Sequence, residues 1–239
     1  MSRALTIARR EITSFFCTGV GWVVVALFLF VSAFLFNATV FATGELATLR
    51  PFFDWSAFLL LFIAPAISMR LISEETRIGT LESLMTAPVA DWQVIFGKWL
   101  GAMGFFLCML LPTLLFVALL EIYSNPDYGP ILTGYLGLLF IGGLYLASGI
   151  LASSLSNSQI LAYLVALFFW LTFWGVTVFL PQYLPDPWPK ALYWMSVNER
   201  FSADLGKGVL DTSTLVYFAS GIAFFLIIST KVVESRRWR

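Results

Sequence analysis

Six apolar runs set the rhythm of the chain. They cover about residues 20–41, 55–72, 99–120, 131–152, 159–180 and 214–230, and polar stretches separate them. A helix needs roughly 17–25 apolar residues to cross a bilayer, so every run is long enough. The middles of all six lack Asp, Glu, Lys and Arg. Pro65 and Pro112 interrupt the second and third runs, where each is expected to kink its helix and free a backbone carbonyl. Gly97 with Gly101, and Gly143, Ala147 and Gly149 in the fourth run, are expected to let helices approach closely. The pattern predicts an all-α integral membrane protein, with one transmembrane domain over residues 1–239.

Three polar stretches have a grammar of their own. In residues 2–16, Leu5, Ala8, Ile12 and Phe15 recur at near-helical spacing, with Arg3, Arg9, Arg10 and Glu11 largely elsewhere. This reads either as a helix lying in the membrane interface or as a frayed basic tail. In residues 73–98, Ser73 is expected to cap a helix with Glu74 and Glu75 in its first turn, and Gly79 to break it. Thr80 then caps a second short helix with Leu81, Leu84 and Met85 on one face. Pro88 stops that helix, and Asp91 caps the next. By pattern alone an ordinary solvated connector is the simpler account; a stiff lever that transmits force is the other. Residues 181–213 open with Pro181, Pro185, Pro187 and Pro189. They predict two short helices, one over Ala191–Val197 and one capped by Asn198 and ending at Gly206.

Composition supports the membrane reading. Of 239 residues, 59% are hydrophobic and 12% charged, against about 25% charged in a soluble domain. Formal net charge is zero, so nucleic acid is not an expected partner. There is no His, and Cys17 and Cys108 form no C-x-x-C motif, so neither metal site nor disulfide is expected. The first run is 22 residues long without an A-x-A exit, and is expected to remain as a span rather than be cleaved.

Charge sets an orientation. An even number of spans puts both termini on one side. That side holds ten cations: Arg3, Arg9, Arg10, Arg70, Arg77, Lys98, Lys231, Arg236, Arg237 and Arg239. The other holds four: Arg50, Lys190, Arg200 and Lys207. The positive-inside rule then places both termini and residues 73–98 in the cytoplasm of a plasma (inner) membrane protein.

The string from Glu74 to Val89, Glu-Glu-x-Arg-x-Gly-Thr-Leu-Glu-x-Leu-x-Thr-Ala-Pro-Val, followed by Gly97-Lys98, resembles the cytoplasmic loop of ABC-2 type transporter permeases. It is most similar to the gliding-motility-type branch. The stretch from Phe201 through Gly208-Val-Leu-Asp211 to Arg236-Arg237-Trp238 resembles the end of such permeases too. The resemblance implies the ABC-2 (type V exporter-like) permease fold, with an N-terminal elbow helix over residues 2–16, a coupling helix within 73–98 and short, partly re-entrant outer helices before the last span. It also implies two permease chains, identical or related, and two ATPase domains per complex. The coupling loop would dock on the ATPase. Glu74, Glu75 and Glu82 would present carboxylates to its basic groups, and Gly79 would allow the turn. Thr80 would cap the helix, Pro88 would end it, and Leu81, Leu84 and Met85 would fill an apolar groove.

The sequence holds no G-x-x-x-x-G-K-[ST], so nucleotide is not expected on this chain; ATP and Mg belong on the partner ATPase. Nor is there an H-E-x-x-H or a G-x-S-x-G. Ion-coupled carriers usually need buried ionisable groups within their spans, which these runs lack. Two functions follow. One is the membrane subunit of an ABC transporter, an exporter powered by a separate ATPase and not itself an enzyme. The other is an ATP-powered mechanical transducer or anchor that acts on a periplasmic or membrane partner without carrying cargo.

Overall fold

A computed structural model describes residues 2–40, 48–80, 89–124, 126–185 and 187–236. The described residues are helical with connecting turns, and no strand occurs among them. Six helical stretches are long and apolar enough to cross a membrane: Gly19–Val40, Arg50–Ile78, Asp91–Tyr123, Tyr128–Leu155, Gln159–Tyr183 and Thr212–Ser235.

In chain order the helices are α1 (Ser2–Cys17), α2 (Gly19–Val40), α3 (Arg50–Ser68), α4 (Arg70–Ile78), α5 (Asp91–Leu110), α6 (Leu114–Tyr123), α7 (Tyr128–Leu155), α8 (Gln159–Phe179), α9 (Trp188–Met195), α10 (Val197–Ala203) and α11 (Thr212–Arg236). Pro112 has the effect its missing N–H predicts, since a 3-10 turn over Leu111–Thr113 separates α5 from α6. The helix α7 is the hub, and α3, α5, α8 and α11 all pack on it. In its most apolar stretch 78% of residues are buried, against 17% in the last span, which is why the outer spans keep broad apolar faces for lipid.

Helix α1 is not a loosely lying tail. It presses on α5 along Ala4, Ile7, Ala8, Glu11 and Phe15, while Leu5 is 60% exposed. The expected stripe through Leu5 is therefore corrected. The contact face is set by small side chains that fit a glycine seam on α5. A Cβ at Gly101 would lie 2.6 Å from Glu11 Cβ, and one at Gly97 would lie 2.8 Å from Ala4 O. Phe15 and Phe105 stack at 4.6 Å beyond the seam.

At the opposite end of the bundle, Ser196 caps α10 by accepting from Glu199 N at 3.3 Å. The cap is thus Ser196 and not Asn198. The extended backbone of Ser196 aims its hydroxyl at the N–H three residues on. Behind this cap, Phe201 and Leu205 are buried against Gly137, where an added Cβ would sit 2.4 Å from the Phe201 ring. Thr133 Oγ1 donates to Leu205 O at 2.7 Å. The segment dips into the bundle, whereas α9 carries Trp188, Tyr193 and Trp194 exposed. Arg200 ties the two parts to α11, donating to Trp194 O at 2.8 Å and to Ser213 Oγ at 3.1 Å.

Candidate functional site: the α4 element and its anchors

The apolar run of α3 does not stop where the polar residues begin. Leu71 and Ile72 carry it into α4, buried, and the helix continues to Ile78. Ser73 therefore sits inside α4, not at its start. Its hydroxyl donates back to Met69 O, the i−4 bond of a helix-interior serine. Gly79 ends the helix in the left-handed region at φ 80°, with its N–H on Thr76 O at 3.3 Å. Thr80 Oγ1 donates to Glu75 O at 3.4 Å. Leu81, Glu82, Leu84, Met85 and Pro88, with the helix that Thr80 was expected to cap, lie outside the described residues. Helix α5 then starts at Asp91 with Ala90 as its N-cap. Asp91 is thus the first residue of the helix rather than the cap, in a turn where a carboxylate suits the positive helix end. Ala90 N donates to Gln93 Oε1 at 3.4 Å, the reciprocal half of a capping box.

The base of this element is held by charge. Lys98 is only 1% exposed, and its ammonium lies 2.9 Å from Glu11 Oε1 and 2.9 Å from Glu75 Oε1. Arg10 closes the group from the water side, 2.8 Å from Glu75 Oε1 and 3.1 Å from Glu11 Oε1. Two cations and two carboxylates from α1, α4 and α5 thus share one site. Burial alone would raise the Glu11 pKa, but Lys98 and Arg10 outweigh it and hold the carboxyl below its ordinary value. Burial likewise works against the Arg10 cation, and Glu11 and Glu75 more than offset it.

Arg70 adds a second anchor. Its guanidinium lies 4.2 Å over the Phe15 ring and donates to Thr18 Oγ1 at 2.9 Å. A cleft of about 280 Å³ runs between the anchors, lined by Ser14, Thr18, Arg70, Glu74, Glu75 and Lys98 among others. Of the expected carboxylates, Glu74 is half-buried on this cleft and Glu75 is engaged within the chain. Glu75 Oε1 already serves two cations, Arg10 and Lys98. Sequence reasoning missed the cluster. One signal was available: Lys98 is a lone charge at the head of an apolar run, and a buried charge requires a partner.

Among the described residues no group of His, Cys, Asp and Glu is arranged to hold a metal. No curated protein matches the chain. Residues 49–198, 150 of the 239, match the family described as ABC-2 family transporter protein. The chain belongs to that family. ABC-2 proteins are the membrane components of ABC transporters and are not themselves catalytic. The match runs from the start of α3 to the start of α10, so it takes in α4, Arg70, Lys98 and the hub helix, but not α1. This ABC-2 chain is accordingly a multi-pass permease of an ABC transporter.

Proposed function

We propose that this permease is an exporter subunit of the gliding-motility-type branch, driven by a separate ATPase that docks on residues 73–98. One observation carries the reading. Helix α4 has a buried, ion-paired base, and then Arg77, Ile78, Gly79 and Thr80 emerge exposed at its tip. A rigid base with an exposed tip suits an element that receives a push. Ile78 is 62% exposed at that tip. The ten-to-four cation bias supports placing this end and both termini in the cytoplasm of an inner-membrane protein. A second permease chain, identical or related, completes the membrane part. ATP and Mg reside on the ATPase, and this chain alone does not hydrolyse ATP. Glu74, Glu75, Gly79, Thr80, Glu82 and Pro88 shape and orient the docking element.

Co-purification tests this. After mild detergent extraction the wild-type chain should bring down an ABC ATPase subunit. Leu81→Ala with Leu84→Ala should lose it at an unchanged melting temperature, since burying a Leu contributes about 1.5–3 kcal/mol. Full recovery of the ATPase with the double variant would reduce the segment to a connector. The second reading, force transduction without cargo, is favoured by α9, whose exposed Trp188, Tyr193 and Trp194 would meet an extracytoplasmic partner. Cross-linking from α9 to another protein would support it.

A further inference from the structure

Helices α3 and α4 abut at Met69, where the helical ladder is interrupted although the backbone stays right-handed (φ −54°, ψ −33°). What interrupts it comes from the hub helix. Ser153 Oγ accepts from Ile72 N at 3.1 Å and from Ser73 N at 2.9 Å, and donates to Met69 O at 2.8 Å. One hydroxyl therefore serves two donors and one acceptor of another helix's backbone. Side chains inserted in this way are a known cause of helix kinks. Four residues earlier on the same face of α7, Gly149 permits the approach. A Cβ there would lie 1.8 Å from Ser68 Oγ. Ser68, Ser73 and Ser153 are each 0% exposed, so water is not positioned to replace these bonds.

We propose that Ser153 is the positioning residue of the α4 element: it pins a hinge at Met69 and so sets the angle at which α4 leaves the bundle. The inference rests on the docking reading above and deepens it. A push at the tip of α4 turns the helix about Met69. The hydroxyl keeps three backbone groups paired as the angle changes, because its hydrogen and lone pairs can rotate between them. Within one turn of that pin, Glu75 is tied to Lys98 of α5. Helix α4 is thus a lever held at its base, with its tip exposed.

Spin-label distances test the hinge in the full-length chain with Cys17 and Cys108 replaced by Ser. Labels go on Arg77→Cys at the tip of α4 and Leu155→Cys at the end of α7, both exposed. In lipid nanodiscs without nucleotide, the wild-type pair should give one narrow distribution. Ser153→Ala should broaden it about twofold, as a segment that loses its pairing partners opens locally. Ser153→Thr, which keeps the hydroxyl, should restore the width. With the co-purified ATPase, ATP and vanadate should shift the wild-type distance, and Ser153→Ala should abolish the shift. If Ser153→Ala does not fold, the near-isosteric Ser153→Cys is read in its place. A wild-type width and shift in the Ala or Cys variant overturns the proposal, as does a Thr variant that fails to restore them. If no ATPase accompanies the wild type, the docking reading fails, and the nucleotide-free widths still decide the hinge.

Discussion

Glu75 and Lys98 flank the stretch that joins α4 to α5, and their charged groups meet at 2.9 Å. The pair ties together the two helices that flank that stretch. Lys98 is also what keeps two carboxylates side by side. Without it, Glu11 and Glu75 face each other with only Arg10 between them and the water.

Removing that ammonium should therefore cost more than removing either carboxylate. Breaking a buried ion pair from one side typically costs about 3–5 kcal/mol. Lys98→Met should fall in that range, and Glu75→Gln below it, because Lys98 keeps Glu11. Thermal unfolding of the two variants in detergent gives the order. A Lys98→Met protein as stable as the wild type would show that the cluster holds nothing together.

The glycine seam makes a steric prediction. Gly101→Ala places its methyl 2.6 Å from Glu11 Cβ and 3.0 Å from Ala8 O. Overpacking of this kind costs about 1–3 kcal/mol and should push α1 off α5. Gly175→Ala, on α8 with nothing within 4 Å, should be neutral or stabilising by up to about 1 kcal/mol. Melting temperatures of the two variants, compared side by side, check the contrast.

Acid should weaken the same cluster. The Glu11 pKa is lowered in the folded chain from its ordinary value of 4.5. A depressed carboxylate stabilises the fold fully above the ordinary value, and the contribution is lost as pH falls through the folded one. Wild type should thus lose its stability margin over Glu11→Gln only below pH 4.5, with the margin flat from there to neutrality. Melting temperature against pH for the two proteins reads this directly. A margin that shrinks instead between pH 6 and 8 would point to a different group.

Orientation is tested with cysteines in a background free of Cys17 and Cys108. Thr48→Cys and Leu184→Cys should react with an impermeant thiol reagent added outside cells, and Thr86→Cys should not. The reverse pattern would turn the protein over and place residues 73–98 out of reach of any ATPase.

Much of the architecture was legible because it depends on local chemistry. The six apolar runs need only length and composition, and the 3-10 turn at Pro112 and the break at Gly79 follow from single residues. The anchors were not legible, because they join distant positions. Lys98 lies 87 residues from Glu11, and Ser153 lies 80 from Ser73. The start of α4 was misjudged for the same reason. Ser73 looks like a cap until Ser153 is known to hold the backbone ahead of it. On α1, Ala4 and Ala8 carry too little apolar surface to announce a contact face, and Leu5 carries enough to mislead. Only the glycines of α5 identify which face is used. At α10, Ser196 and Asn198 are both good caps, and the backbone at Ser196 decides between them.

The burial of Phe201 and Leu205 against Gly137 bears on how the protein is made. Gly137 belongs to the fourth span, and the side chains that cover it are synthesised more than sixty residues later. When the first four spans have entered the bilayer, the far end of the bundle still lacks its filling. Closure waits for the ribosome to deliver Ser196 to Lys207, and Arg200 can fasten that wedge only once Ser213 and Tyr217 of the last helix have followed. A chain that stops after the fifth span therefore lacks the wedge that covers Gly137.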